Sequence, residues 1–179
     1  MRYAGVIKND VVNGQGVCVS FWTQYCPNHC EGCHNPQTWS KDGGYELPDD
    51  YIDKIIGYLR ENGVHRNLSI LGGEPLCEYN YKIVYDLLKA VKEKYPDTKV
   101  FVWTGSTFND VISSFPKIIK YIDILVDGQF ELNKRDITLP LRGSSNQRII
   151  DVKGVVKQVR RGIEYLSCSG HALINYTEY

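Results

Sequence analysis

Residues 26–33 read Cys26-Pro27-Asn28-His29-Cys30-Glu31-Gly32-Cys33, a Cys-x3-Cys-x2-Cys run. Thiolates grouped in this way suit an iron–sulfur cluster, for which four cysteines are the usual complement. Three thiolates hold three irons of a four-iron, four-sulfur cluster and leave the fourth iron open to a ligand from elsewhere. An open iron on a reducible cluster is a place for chemistry, whereas a fully thiolate-ligated cluster mainly carries electrons. The competing reading is a Cys3His zinc site completed by His29 or His34. Structural zinc sites usually draw on paired knuckles well separated in sequence, and here the three thiols fall within eight residues. The one distant Cys-x2-His pair, Cys168 and His171, lies in a Ser- and Gly-flanked stretch.

A second group is Leu71-Gly72-Gly73-Glu74-Pro75. Two adjacent glycines let the backbone approach a ligand closely and take positive φ without penalty. Their carbonyls suit a ligand ammonium group, and Glu74 is placed either to anchor that ligand or to support the loop. Alone, Gly-Gly after a strand is a turn; beside a cysteine loop on the preceding strand it becomes a candidate site.

These loops need a frame. Residues 16–22 (Gly-Val-Cys-Val-Ser-Phe-Trp) alternate like a strand running into the cysteine loop. Ile52, Ile55, Ile56 and Leu59 recur at helical spacing, with Pro48 and Asp49-Asp50 before them and Asn62-Gly63 after. Residues 67–71 are a short strand. Val84, Leu87, Leu88, Val91 and Tyr95 mark a second amphipathic helix closed by Pro96. Strands at 99–103 and 123–126 bracket a shorter helix around 108–113. Alternating strands and helices build βαβ units and a parallel sheet, yet the chain is too short for eight units, which typically take ~250 residues. Residues 128–147 lose the helical period. The expectation is an α/β fold, an open partial (β/α) barrel with a mostly parallel sheet, whose functional loops follow strands.

At 179 residues the chain reads as a single domain. Its 21 basic and 21 acidic residues balance, so there is no electrostatic footprint for nucleic acid or an anionic membrane surface. The opening residues carry too short an apolar run for a signal peptide, and no stretch is long enough to span a bilayer. Six cysteines, three of them clustered and without a secretory signal, point to ligation in a reducing compartment rather than disulfides. A cytoplasmic location is expected. Among the other candidates, Cys18 reads as a core or barrel-lining thiol, Cys77 as packed beside the Gly-Gly loop, and His65 as a surface residue. His29 has the option of tuning a cluster.

The two motifs together resemble the radical S-adenosylmethionine (SAM) superfamily, whose signature pairs Cys-x3-Cys-x2-Cys after the first strand with Gly-Gly-Glu-Pro after the second. Both stand here without substitution. The resemblance implies a [4Fe-4S] cluster on Cys26, Cys30 and Cys33, with the SAM amino and carboxylate groups on the open iron. It places Gly72, Gly73 and Glu74 beside the SAM amino group and Gly32, Cys33 and His34 near its adenine. Reduction then cleaves the sulfonium to methionine and a 5′-deoxyadenosyl radical that abstracts a hydrogen atom.

A narrower resemblance is carried by residues 33–39 (Cys-His-Asn-Pro-Gln-Thr-Trp), 123–131 and 142–151. Over residues 1 to about 158 the chain is similar to the activating proteins of anaerobic (class III) ribonucleoside-triphosphate reductase. That implies a protein substrate, a glycine of the reductase that loses a Cα hydrogen, with flavodoxin or ferredoxin as the electron donor. Asp127 and Gly128 are then SAM-side or substrate-side candidates. Asn146 and Arg148 are candidates for SAM or the partner, although a Gly-Ser-Ser-Asn turn leading into a strand explains them equally well. An activase for pyruvate formate-lyase or a related enzyme, a small-molecule radical SAM enzyme, and a non-catalytic zinc-binding module are the alternatives. Residues 160–179 match no motif.

Overall fold

The computed structural model describes residues 1–155, so the expectations for Cys168, His171 and the segment 160–179 fall outside the described residues. In chain order the elements are β1 (Arg2–Asp10), β2 (Cys18–Thr23), β3 (Tyr45–Glu46), α1 (Tyr51–Arg60), β4 (Asn67–Gly72), α2 (Glu78–Lys94), β5 (Val100–Trp103), α3 (Phe108–Ser114), β6 (Ile124–Asp127) and β7 (Arg148–Asp151). One seven-stranded sheet runs β3-β1-β2-β4-β5-β6-β7. Its centre, β2-β4-β5-β6, is parallel, while β1, β3 and β7 join antiparallel at the flanks. The sheet ends on β3 and β7 and does not close on itself. The α/β class and the open, parallel-centred sheet therefore match expectation.

Strands β2, β4 and β5 each lead to a helix, α1, α2 and α3, where the sequence switches from period 2 to period 3.6, whereas β6 runs on to β7 with no α-helix between them. Val19 and Phe21 of β2, Leu68 and Ile70 of β4, and Val100 and Val102 of β5 bury one face of the sheet. They pack against Ile55, Ile56 and Leu59 of α1 and Val84, Leu87, Leu88 and Val91 of α2, all in one core cluster. Truncating a fully buried member such as Leu87 to Ala costs about 2–5 kcal/mol. Helix α1 stops where Asn62 and Gly63 take positive φ of 58° and 73°, a conformation Asn and Gly enter at low cost. Helix α3 starts with a capping box, Thr107 Oγ1 accepting from the Asp110 N–H and Asp110 returning to the Thr107 N–H.

Strand β1 has no clear signature in the sequence. Its pairing with β2 shifts register between Tyr3 and Gly5 and again between Ile7 and Asp10, and such irregularities break the two-residue alternation by which a strand is recognised. The β1–β2 connection then folds over the amino ends of the parallel strands. Asp10 accepts from the Ser20 hydroxyl at 2.6 Å and the Asn13 amide at 2.8 Å, and Asn67 Nδ2 donates to the Gln15 carbonyl at 2.8 Å. The opposite, carboxyl ends of β2, β4, β5 and β6 all feed loops, and these loops carry the candidate site.

Candidate functional site

The cysteine loop leaves β2 through Gln24 and is tied at its base. The Tyr25 N–H donates to the Thr38 carbonyl at 2.8 Å and the Cys26 N–H to the Trp39 carbonyl at 3.3 Å. Between these ties the backbone takes positive φ at Tyr25 (77°), His29 (44°) and Gly32 (70°). Two of the three are not glycine, and such conformations persist only where surroundings impose them. Cys26 is buried, Cys30 and Cys33 are half-buried, and all three thiols are free. The Cys33 N–H donates to the Cys30 carbonyl at 3.1 Å, and the Asn35 N–H points at Cys33 Sγ at 3.4 Å.

The residues present fit an iron–sulfur cluster. Free thiols are the donor set such a cluster takes. Trp39 stacks on His29, rings 4.8 Å apart, and its buried indole N–H has no acceptor among the described residues. A buried donor left unpaired costs free energy, and a sulfur held by this loop is an acceptor of the right kind. Burial pushes the Cys26 thiol up to about 11; coordination to a cluster would remove that proton outright. Among the described residues no three His, Cys, Asp or Glu side chains are grouped as ligands for a single metal ion.

The Gly-Gly-Glu-Pro loop packs directly beneath the cysteine loop. The Gly73 N–H donates to the Thr23 carbonyl at 2.9 Å and the Glu74 N–H to the Tyr25 carbonyl at 2.8 Å. Gly72 takes φ +106°, and a Cβ there would meet Thr23 O at 2.6 Å. What the glycine pair approaches closely is therefore the end of β2. Asn80, fully buried on α2, clamps the same seam. Its amide donates to the carbonyls of Gln24 (2.8 Å), Glu74 (2.9 Å) and Tyr25 (3.2 Å).

Glu74 is 3% exposed and its carboxylate is fully occupied by protein donors. Oε1 accepts from the Thr104 hydroxyl at 2.6 Å and the Leu76 N–H at 3.0 Å. Oε2 accepts from the Gly105 N–H at 2.7 Å and the Asn28 amide at 3.0 Å. Burial raises its pKa, outweighing these four hydrogen bonds, which each favour the anion. Of the two roles open to Glu74, the side chain fills the loop-supporting one.

The remaining sequence candidates lie close by. Gly32 and His34 are exposed on the cysteine loop. Asp127 is fully buried; it accepts from the Phe108 N–H at 2.7 Å and from Arg148 Nε at 2.9 Å. Its carboxylate is thus committed to the β6–β7 pairing and α3, and Arg148 is committed to it. Gly128, φ +97°, donates to the Ser106 carbonyl at 3.1 Å. Asn146 Nδ2 donates to the Gln129 carbonyl at 2.8 Å. A cleft of about 650 Å³ opens between His29–Glu31 and residues 129–133, and Cys30 is on its wall.

A family model described as "4Fe-4S single cluster domain" matches residues 12–150. An anaerobic ribonucleoside-triphosphate reductase-activating protein from Vibrio cholerae is 37% identical over 83% of this chain and 97% of its own length. Proteins of the same name from Pasteurella multocida and Escherichia coli K12 are 34% and 31% identical, over 83% and 82% of this chain and 96% of theirs. The chain belongs to the family of anaerobic ribonucleoside-triphosphate reductase-activating proteins. The matched residues span the cysteine loop, the Gly-Gly-Glu-Pro loop and the β6–β7 segment.

Four residues of the site escape a reading of the sequence: Asn28, Asn80, Thr104 and Gly105. Their bonds to Glu74 and its surroundings cross 30 or more residues for Thr104, Gly105 and Asn28. The available signal was positional, since Thr104-Gly105 follows β5 as Gly73-Glu74 follows β4.

Proposed function

We propose that this protein activates an anaerobic ribonucleoside-triphosphate reductase by generating a glycyl radical on it, through reductive cleavage of SAM at a [4Fe-4S] cluster. The reading rests on family membership and on one observation: the cysteine loop and the Gly-Gly-Glu-Pro loop are hydrogen-bonded through Asn28 and Glu74 at 3.0 Å. Both lie at the carboxyl end of a parallel sheet, where such folds bind ligands. The open sheet is, on this reading, a partial (β/α) barrel of the radical SAM type within a single domain spanning 1–179.

Cys26, Cys30 and Cys33 would hold three irons. The bound cluster and SAM together supply the one-electron cleavage that begins hydrogen-atom abstraction; the protein supplies position and a dry site. Gly72 and Gly73 present backbone to the SAM amino group, and Glu74 fixes that backbone in place. Gly32, Cys33 and His34 flank the adenine. Gly128 lines the site through its backbone, and Asp127 holds that backbone through Arg148 and the Phe108 N–H. The cleft beside Cys30, of a size usual for ligand sites, leads in from solvent, with Phe130 and Leu132 on its wall. The half-exposed thiols suit a reducing compartment such as the cytoplasm, with flavodoxin or ferredoxin as electron donor. Among the described residues no helix is long and apolar enough to cross a membrane.

The test is anaerobic cluster reconstitution, dithionite reduction and assay of 5′-deoxyadenosine from added SAM, followed by electron paramagnetic resonance of the reductase. Product together with a doublet glycyl signal on the reductase is expected. Product with a radical only on pyruvate formate-lyase or a similar enzyme would reassign the partner. Absence of product from a protein with a full cluster would sink the radical SAM reading.

A further inference from the structure

Asn28 lies inside the Cys-x3-Cys stretch, yet its contacts reach the loops that follow all four parallel strands. Its own loop follows β2. Its amide donates to Glu74 after β4 at 3.0 Å. Gly105 after β5 packs so tightly against it that a Cβ there would strike Asn28 Nδ2, and the Gly105 N–H shares the same Glu74 oxygen. Gln129 after β6 donates to the Asn28 carbonyl at 3.4 Å. Tyr25, at the base of the loop, accepts from the Glu74 N–H, but no other residue of the cysteine loop bonds to the Glu74 carboxylate among the described residues.

We infer that Asn28 is a positioning residue that sets the height of the cysteine loop over the Gly-Gly-Glu-Pro loop, and so the separation between the open iron and the SAM-holding backbone. The inference rests on the proposed function for its SAM consequence, and on the hydrogen-bond geometry alone for its structural one. The physical argument is short. A loop with positive φ at Tyr25 and His29 has other conformations available, and beyond the ties at its base, Tyr25 to Thr38 and Cys26 to Trp39, its tip is held by the Trp39 ring on His29 and the long Gln129 bond to Asn28. The bond to Glu74 also restrains the tip. It is a hydrogen bond to a buried carboxyl, among the stronger kinds, and the remaining Glu74 donors come from the other loops.

Removing it leaves all three thiols in place, so cluster content should be unchanged while SAM affinity falls. For Asn28→Ala we expect unaltered iron and sulfide per chain, a SAM Kd raised about tenfold, the scale of one hydrogen bond to a charged group, and kcat at saturating SAM within about twofold. The reduced cluster should also lose part of the spectral change that SAM produces. Hydrogen exchange on the metal-free protein gives a readout independent of SAM: protection should fall together at 26–30, 72–76, 104–106 and 128–130. Gly105→Ala, which displaces the Asn28 amide from another loop, should reproduce both effects, and it covers the case in which Asn28→Ala fails to fold.

Unchanged SAM Kd in both variants, or exchange confined to 26–30, overturns the inference. If the wild-type protein with a full cluster binds no SAM, the proposed function is what fails, and the exchange pattern alone then decides the role of Asn28.

Discussion

Two buried carboxylates sit at opposite ends of the same sheet and are held in opposite ways. Glu74, at the carboxyl ends of the strands, is surrounded by neutral donors: two backbone N–H groups, a hydroxyl and an amide. Asp123, just before β6 at the amino ends, is surrounded by cations. Lys92 of α2 reaches it at 2.5 Å, Lys153 pairs with its other oxygen, and the Val100 N–H donates at 2.8 Å. Burial acts to raise the pKa of both. At Asp123 the bonds from Lys153, Lys92 and Val100 outweigh it and hold the carboxyl below its ordinary value; at Glu74 burial prevails. Burial pulls Lys92 down as well, so the net gain of the pair resides on the aspartate, which has two further partners. The far end is fastened by charge. The site end is fastened by directional neutral bonds, which fix geometry without placing a cation beside a region expected to hold a charged cofactor.

The largest stability effect should come from Asp123→Ala. It leaves Lys92, whose side chain is 11% exposed, without its counter-ion, a loss of about 3–5 kcal/mol in denaturant unfolding of the metal-free protein, with SAM cleavage per folded molecule unchanged. Lost cleavage at full folding would erase the division between the two ends.

Glu74→Gln should cost less stability, about 1–3 kcal/mol, and more function. The amide nitrogen it introduces must face two of the four donors, so loops part and SAM binding weakens. The pair also predicts opposite pH slopes. Asp123, with its lowered folded pKa, adds stability that is complete above the unfolded value of about 3.9 and disappears as pH falls through the folded value. Glu74, with its raised pKa, subtracts stability at neutral pH, and that cost is relieved as pH falls through its folded value. Unfolding midpoints of Asp123→Asn and Glu74→Gln against pH should therefore depart from wild type in opposite senses on the acid side. Slopes of one sign would break the comparison.

The smallest effect belongs to Lys153→Ala. This lysine is 55% exposed, and pairs of that kind contribute about 0–1 kcal/mol. A loss approaching that of Asp123→Ala would make the far end a three-body lock rather than a Lys92–Asp123 pair.

Much of the parallel centre was legible from periodicity. Ile52, Ile55, Ile56 and Leu59 mark α1, and residues 67–71 and 99–103 lie within a residue of the observed β4 and β5. Strand β1 was not legible, because its register shifts scramble alternation, and β3 is two residues long. The cysteine spacing and the Gly-Gly-Glu-Pro run stand out because chemistry restricts residue type there. Asn28, Asn80 and Thr104 do not, because a buried hydrogen bond is specified by where the fold brings two segments, and any short polar residue is locally acceptable in a loop or, for Asn80, in the first turn of a helix.

The two base ties of the cysteine loop, Tyr25 to Thr38 and Cys26 to Trp39, have a thermodynamic consequence. They close the loop with backbone bonds that need no metal ligand, so part of its loop-closure entropy is met by folding itself. Loss of iron to oxygen should then leave a closed, receptive loop rather than an unravelled one, and the protein can be refilled without being refolded.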